Sequence, residues 1–250
     1  MITLRNLSVG HGKQKVIENI SLTAENGDIT VILGKNGIGK STLLHAMAGL
    51  LPYGGSIQID GAEVAKTAAK ERAAALAMMP QILPTPDISV WELVSFGRAC
   101  YTPITGVLST LDRDVIRQVL EQTGLLPLAH KKITAISGGE RQKAFFAMVL
   151  AQQTDNILLD EPAAFLDSAY TKRLCAFLQD AKQDNKCVVA VLHDINRALQ
   201  IADKLVVLSD GDVFIGTPAA FLQQNIAQTQ FGLTRFEGMN EKGERGIFFQ

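Results

Sequence analysis

The segment from Gly34 to Ser41, with the sequence GKNGIGKS, constrains this chain more than any other feature. It fits the phosphate-loop pattern G-x-x-x-x-G-K-[ST] at every fixed position. The apolar run at 28–33 before it predicts a buried strand, and residues 42–49 predict a helix that ends at a glycine. A strand, this loop and a helix in that order predict a nucleoside triphosphate site rather than a plain glycine turn.

The residue types of the loop suit phosphate binding. Its glycines let backbone N–H groups turn toward phosphate oxygens, and the following helix adds the positive end of its dipole. Lys40 is predicted to reach the β- and γ-phosphates, and the Ser41 hydroxyl to ligate Mg²⁺. The predicted nucleotide-binding residues here are Gly34, Lys35, Asn36, Gly37, Ile38, Gly39, Lys40, Ser41 and Thr42.

Composition excludes several classes of protein. The chain has 250 residues, 47% of them apolar and 20% charged, as in ordinary globular proteins. Its net charge of −1 gives no electrostatic support for binding nucleic acid, so we expect no nucleic-acid partner. The three cysteines fit neither a metal-ligand spacing nor a disulfide framework, which predicts a reducing cytoplasm. No apolar run approaches the ~18 residues that cross a bilayer, so another polypeptide would have to hold the protein at a membrane.

The pattern of apolar residues predicts three regions. Alternation of apolar residues from Ile2 to Leu22 and again at 56–61 predicts a small β-rich layer. Helices dominate from about 85 to 150, and the alanine- and charge-rich stretch 66–76 also favours a helix. Apolar strands at 157–160, 187–192 and 205–208 then alternate with helices at 168–182 and 195–202, followed by a terminal hairpin with its turn near 240–243. Strands separated by helices predict a mainly parallel sheet covered on both faces.

Two acids end the predicted strand at 157–160. Open α/β sheets bind ligands at this end of their strands. Asp160 is predicted to hold Mg²⁺, and Glu161 to orient and polarise an attacking water. Two acids that merely end a strand are the alternative, which the phosphate loop in the same chain disfavours.

The segment Ser137-Gly138-Gly139-Glu140 immediately precedes a predicted helix. A serine N-cap and two glycines leave N–H groups free at a positive helix end, where an anion can bind. By itself the pattern favours an ordinary capped helix, so its interpretation depends on the other motifs.

Taken together and in this order, the motifs resemble the ATP-binding subunit of ABC transporters over essentially the whole chain. Gly34–Ser41 is similar to the Walker A loop, Ile157–Glu161 to Walker B, and Ser137–Glu140 to the family signature. Gln81 matches the Q-loop glutamine, which senses Mg²⁺ and abuts the membrane subunit. His193 matches the switch histidine, and residues 164–167 occupy the D-loop, with Ala164 and Phe165 departing from the usual residues.

The resemblance implies an α/β fold of the P-loop NTPase (RecA-like) type. Its parts would be a mainly parallel sheet core, an N-terminal antiparallel β layer and an inserted helical subdomain. It implies one nucleotide-binding domain over residues 1–250, with the helical subdomain at about 85–150. In this family two subunits sandwich two ATP molecules, and the signature of one copy completes the Walker A site of the other.

The resemblance also implies ligands, partners and residue roles. The implied cofactors are ATP and Mg²⁺. The implied partners are a second copy, two permease subunits and, indirectly, a periplasmic or extracellular substrate-binding protein. The chain would lie on the cytoplasmic side of the membrane. The implied catalytic residues are Glu161, His193, Lys40 and Gln81, and the implied Mg²⁺ ligands are Ser41, Gln81 and Asp160. Further implied nucleotide contacts are His11, which replaces an aromatic residue that stacks on adenine, Ser137, Gly138, Gly139, Glu140 and Asp167.

A finer resemblance lies outside the nucleotide motifs. Residues 90–98 (VWELVSFGR) are similar to the V-x-E-L-V…G-R segment of importers for iron–siderophore complexes, haem and cobalamin. Residues 193–203 are similar to the H-D-x-N-x-A…A-D stretch of the same group. We therefore expect an ATPase subunit that energises uptake of an iron–siderophore-type chelate. The alternatives are import of haem or cobalamin, the ATPase subunit of an exporter, and a soluble ABC ATPase acting on nucleic acid or ribosomes.

Overall fold

A computed structural model describes residues 1–11, 14–103, 105–162, 168–239 and 245–250, with only the backbone described at positions 11, 14, 168, 169, 239, 245 and 246. The strands are β1 (Ile2–His11), β2 (Gln14–Ala24), β3 (Ile29–Gly34), β4 (Tyr53–Ile59), β5 (Ala62–Glu63), β6 (Leu76–Met79), β7 (Asn156–Asp160), β8 (Cys187–Val191), β9 (Lys204–Ser209), β10 (Asp212–Gly216), β11 (Arg235–Met239) and β12 (Arg245–Phe249). The α-helices are α1 (Lys40–Met47), α2 (Ala69–Ala75), α3 (Val90–Ser95), α4 (Thr110–Gln122), α5 (Gly138–Gln152), α6 (Ser168–Gln183), α7 (Ile195–Ile201), α8 (Pro218–Gln223) and α9 (Ile226–Phe231).

Three sheets organise the described strands. An antiparallel sheet in the order β2-β1-β4-β5 forms the N-terminal layer, and β11 pairs with β12 as a separate hairpin. The core sheet has the order β10-β9-β3-β8-β7-β6. Its strands are parallel except for β10, which pairs antiparallel with β9. The predicted α/β class, the mainly parallel core and the antiparallel N-terminal layer are confirmed.

The core sheet has a hydrophobic cluster on each face. Successive side chains of a strand point to opposite faces, so each strand contributes to both clusters. In β3, Ile29, Val31 and Leu33 join a cluster with the helices, whereas Ile32 packs with the N-terminal sheet and α1. β8 follows the same rule, with Val188 and Ala190 on one side and Cys187, Val189 and Val191 on the other. This two-sided burial explains why the core strands read as continuous apolar runs.

The helices between β6 and β7, residues 90–152, are called here the helical segment. Within it Gly97 lies against α5, since a Cβ on Gly97 would be 2.3 Å from the Met148 carbonyl oxygen. The adjacent Arg98 is buried, and its Nε donates to Asp112 Oδ1 at 2.9 Å and its Nη1 to the Ala151 carbonyl at 2.8 Å. The G-R pair of the importer-like stretch is therefore part of helix packing.

The second importer-like stretch also has structural contacts. Asp194 caps α7 by accepting from the Arg197 N–H at 3.1 Å. Asn196 Oδ1 accepts from the Phe249 N–H at 2.8 Å, and its Nδ2 donates to the Phe249 carbonyl at 3.1 Å. Asp203 accepts from the Ile29 N–H at 3.0 Å. These residues join α7 to the terminal hairpin and to the core sheet.

Some elements differ from the sequence prediction. The helix expected at 66–76 spans only Ala69–Ala75, and Leu76 opens strand β6, which the pattern did not predict. Ala and Met favour helix over strand, so pairing with β7 in the buried edge of the sheet overrides local propensity. Strand β10 and helices α8 and α9 were also missed, and the predicted hairpin turn at 240–243 lies outside the described residues. Among the helices that the structure describes, none has the length and apolarity to span a bilayer.

Candidate functional site

Strand order brings the sequence-predicted residues to one edge of the sheet. The strands β3, β8, β7 and β6 are consecutive neighbours and run parallel, so their carboxyl ends meet there. The phosphate loop follows β3, and His193 follows β8. Asp160 is the last residue of β7, and Glu161 comes directly after it. Gln81 comes two residues after β6. Four segments that are far apart in sequence therefore converge on a single site.

The phosphate loop is preorganised around Lys40. The Lys40 side chain is buried, with 5% of the residue exposed, and its ammonium donates to the carbonyls of Gly34 at 2.8 Å and Lys35 at 2.9 Å. Burial lowers the pKa of Lys40, while the nearby carboxylates of Glu161 and Asp160 oppose that shift. Gly39 caps α1 at φ 110°, and a Cβ there would lie 2.5 Å from Val16 Cγ1. Only glycine fits at this point, because β2 presses against the loop.

Asp160 is the most buried acid of the site, at 1% exposure. Among the described residues, no donor reaches either carboxylate oxygen with normal hydrogen-bond geometry, although the Ser41 hydroxyl is close by. Burial raises the pKa of Asp160; Glu161 adds to the rise, and Ser41, His45 and Lys40 oppose it. A buried carboxylate without a hydrogen-bond donor, next to a serine hydroxyl, fits a hard divalent cation. The donor set therefore suits Mg²⁺.

Glu161 and His193 form a close pair. His193 Nε2 lies 2.6 Å from Glu161 Oε1, with 11% of the Glu161 side chain and 46% of the His193 side chain exposed. An ionised carboxylate only accepts, so Nε2 must carry the proton in this contact. The pair faces the phosphate loop across a cleft of about 1040 Å³. A base-and-orienter arrangement of this kind suits activation of a water.

The same cleft reaches two of the other predicted motifs. Gln81 lies on its wall, and so do Gly138 and Gly139 at the start of α5. Ser137 and Glu140 instead form a capping box: the Ser137 hydroxyl accepts from the Glu140 N–H at 3.3 Å, and Glu140 Oε2 accepts from the Ser137 N–H at 2.8 Å. The signature serine thus caps its own helix in the single chain.

Two predicted residues cannot be placed, and two polar residues of the cleft were missed, as were the apolar Ile82 and Leu83 on its wall. The His11 side chain and Asp167, together with Ala164 and Phe165 of the D-loop, lie outside the described residues. Arg141 and Gln142 line the cleft but were not predicted. The one signal for them was their position in the first turns of the helix that follows the signature.

The comparisons with known proteins agree with this geometry. The sequence profile of the family described as ABC transporter matches residues 17–164. The chain is 38% identical to the achromobactin transport ATP-binding protein of Dickeya dadantii (strain 3937), over 93% of this chain and 88% of that protein. It is 34% identical to the iron(3+)-hydroxamate import ATP-binding protein of Bacillus subtilis (strain 168), over 85% of this chain and 80% of that protein.

Solved structures are similar over nearly the whole chain. A transporter assigned to the metal-chelate type of ABC transporter, in an inward-facing conformation, matches with a TM-score of 0.84 and 26% identity, covering 100% of this chain and 96% of that one. A dimeric ATP-binding cassette in a post-hydrolysis state with ADP and Pi matches with a TM-score of 0.78 and 25% identity, covering 87% and 99%. The chain therefore belongs to the ABC transporter family, as an ATP-binding subunit and an ATPase coupled to transport.

Proposed function

We propose that the cleft at the carboxyl edge of the core sheet hydrolyses MgATP and that this reaction drives import of an iron–siderophore-type chelate. The observation that carries the chemical part is that Lys40, Glu161 and His193 line one cleft, with the buried carboxylate of Asp160 close to Lys40 and Glu161. The 34% identity to an iron(3+)-hydroxamate import protein supports the direction and the cargo.

The proposed reaction is in-line attack of water on the γ-phosphorus. Glu161 accepts a hydrogen bond from the attacking water and orients it. His193 holds the Glu161 carboxylate and contacts the γ-phosphate. Lys40 and the loop N–H groups stabilise charge on the β- and γ-phosphates as the bond to the leaving oxygen breaks. Little covalent chemistry falls to the protein, so positioning and electrostatics supply most of the rate.

Mg²⁺ would be held by Ser41, Gln81 and Asp160, and when bound it neutralises charge on the β- and γ-phosphates. The unpartnered oxygens of Asp160 support this assignment. His11 would stack on the adenine, more weakly than an aromatic ring. Asp167 would contact nucleotide across the dimer.

A single nucleotide-binding domain over residues 1–250 is inferred, with a helical subdomain at about 85–150 that corresponds to the helical segment. Two copies would close around two ATP molecules, so that Ser137, Gly138, Gly139 and Glu140 of one copy complete the loop site of the other. The similarity to a dimeric cassette supports this arrangement. Binding of ATP favours the closed dimer and hydrolysis reopens it, as a ligand-driven population shift.

The closing motion would reach two permease subunits on the membrane through the surface beside Gln81. The exposure of the neighbouring Ile82, 83% accessible, supports a protein contact there, since a large aliphatic side chain gains free energy when a partner covers it. A substrate-binding protein outside the cytoplasm would deliver the chelate to the permease. The cargo itself would pass through the permease without contacting this chain.

The proposal is tested by purifying tagged Glu161→Gln protein from detergent-solubilised native membranes with ATP and Mg²⁺. A Glu121→Gln variant, on the exposed face of α4, is the control. We expect Glu161→Gln to bind ATP, lose turnover, form a stable ATP-bound dimer and carry a many-spanning permease. The control should hydrolyse ATP normally. An active Glu161→Gln protein would remove Glu161 from its role.

The identity of the co-purified proteins tests the transport assignment separately. A permease with a chelate-binding partner supports import, and binding of ferric siderophore, haem or cobalamin by that partner assigns the cargo. A permease of exporter topology would overturn the import direction. Recovery of nucleic acid or ribosomes without a permease would leave only the ATPase chemistry.

A further inference from the structure

The backbone at Glu161 has an unfavourable conformation. Its φ is 53°, in the left-handed region that a residue with a Cβ rarely adopts. The next residue is Pro162, whose ring disfavours helical backbone at the position before it and favours an extended one. Both effects oppose the observed turn, so contacts with the surroundings must hold it.

Three contacts hold this turn among the described residues. On the side of the core sheet, the Glu161 N–H donates to the Val191 carbonyl at 3.3 Å, and the Glu161 carboxylate meets His193. From α5, Gln142 Nε2 donates to the Pro162 carbonyl at 2.8 Å. Gln142 is buried, at 8% exposure, and lies in the second turn of α5. Its amide hydrogen bond fixes the carbonyl group of Pro162, the residue that directly follows the strained Glu161.

We propose that Gln142 is a positioning residue for hydrolysis, which holds the Glu161–Pro162 turn so that the Glu161 carboxylate points into the cleft. Gln142 reaches Glu161 only through the backbone and needs no contact with nucleotide. Because Gln142 is four residues after Gly138, it also ties the start of the signature-bearing helix to the turn that carries the catalytic carboxylate. A shift of α5 is thereby transmitted to Glu161.

The inference rests on the proposed role of Glu161 and is tested on the full chain with Gln142→Met, which keeps an unbranched side chain of similar length but removes the donor. A matched control exists on the same helix. Gln152 Nε2 donates to the carbonyls of Ala73 and Leu76, far from the nucleotide cleft. Gln152→Met therefore removes comparable amide-to-carbonyl bonds from the other end of α5.

We expect Gln142→Met to lower kcat about tenfold or more while the KM for ATP changes by less than about twofold, since small displacements of a reacting group cost rate rather than binding. Gln152→Met should lose similar thermal stability and keep its kcat. A Gln142→Met protein with unchanged kcat, or equal losses of kcat in both variants, would overturn the inference. If Gln142→Met does not fold, Gln142→Asn is used, which keeps the amide on a side chain that is shorter by one methylene. The results expected and the results that would overturn the inference are then the same as for Gln142→Met.

A double variant separates this inference from the role of Glu161. In Glu161→Gln protein, Gln142→Met should reduce the residual single-turnover rate no further, because the group that it positions is already absent. Multiplicative losses would show that Gln142 acts independently of Glu161. If Glu161→Gln alone remains active, the proposed catalytic role fails, whereas an inactive Glu161→Gln beside a fully active Gln142→Met refutes only the positioning role.

Discussion

Replacing Arg98 with methionine is expected to destabilise the fold while sparing the nucleotide cleft. The Arg98 guanidinium donates to Asp112 Oδ1 at 2.9 Å, to the Ala151 carbonyl at 2.8 Å and to Gln153 Oε1 at 2.9 Å. It also lies 4.2 Å from the centre of the Tyr101 ring. The side chains of Arg98 and Asp112 are only 6% and 8% exposed, so the variant leaves a buried carboxylate without its cation.

Breaking a buried ion pair from one side typically costs about 3–5 kcal/mol. For a chain of this size, each kcal/mol lowers Tm by about 2–4 °C, so a fall of roughly 6–20 °C is expected. Urea unfolding and a thermal melt measure the loss. Lys132→Met is the matched control, because the Lys132–Asp87 pair is 58% and 70% exposed and is worth at most about 1 kcal/mol.

Removing both charges tests the reasoning. Arg98→Met/Asp112→Leu leaves no buried charge, so the double variant should be more stable than Arg98→Met even though it loses the Ser109 capping box. If Arg98→Met lowers the free energy of unfolding no more than Lys132→Met does, the buried Arg98–Asp112 pair does not stabilise the fold as argued.

The same pair has a defined pH dependence. The Ser109 hydroxyl, helped by Arg98, holds the pKa of Asp112 below its usual value of 3.8. A depressed native pKa contributes stability that is present above pH 3.8 and is lost as the pH falls through the lower native value. The gap in stability between wild type and Asp112→Asn should therefore be constant near neutrality and shrink below about pH 3.8.

Two further variants probe the site and the terminal hairpin. Asp160→Asn should bind ATP normally in EDTA but need at least about tenfold more Mg²⁺ for hydrolysis, because it loses a carboxylate ligand; an unchanged Mg²⁺ requirement would exclude Asp160 as a ligand. Asn196→Ala should lose about 1–2 kcal/mol of local stability, because both hydrogen bonds to Phe249 disappear. Faster amide hydrogen exchange at Phe249 would report that loss, and wild-type protection there would contradict it.

Much of the fold could be predicted because runs of apolar residues mark the buried strands in the sequence. The runs in β3, β7 and β8 are largely apolar and almost entirely buried, which is what a parallel strand covered on both faces requires. Strand β6 could not be predicted, since Leu-Ala-Met-Met has no strand signal of its own and depends on its partner β7. The same limit applies to β10, an edge strand of exposed and partly buried residues that is held by its pairing with β9.

The nucleotide motifs were predictable for a chemical reason. Phosphate binding requires glycines, a lysine and a hydroxyl at fixed spacing, so the loop from Gly34 to Ser41 can be recognised from the sequence alone. Gln142 carries no such pattern, and its contact with Pro162 joins residues that are 20 positions apart. Arg98 is similar: its sequence neighbours resemble a family segment, but only the packed helices show it buried against Asp112.

The sequence by itself determined the chemistry of the loop, most of the strands and helices along the chain, and the family. The tertiary structure decided that the ends of β3, β8, β7 and β6 meet at one edge, which places Glu161 and His193 2.6 Å apart. It also decided that Glu161 adopts a left-handed turn before a proline. Local interactions act between near neighbours and leave a pattern, whereas strand order and strained turns depend on contacts between distant residues that no local pattern encodes.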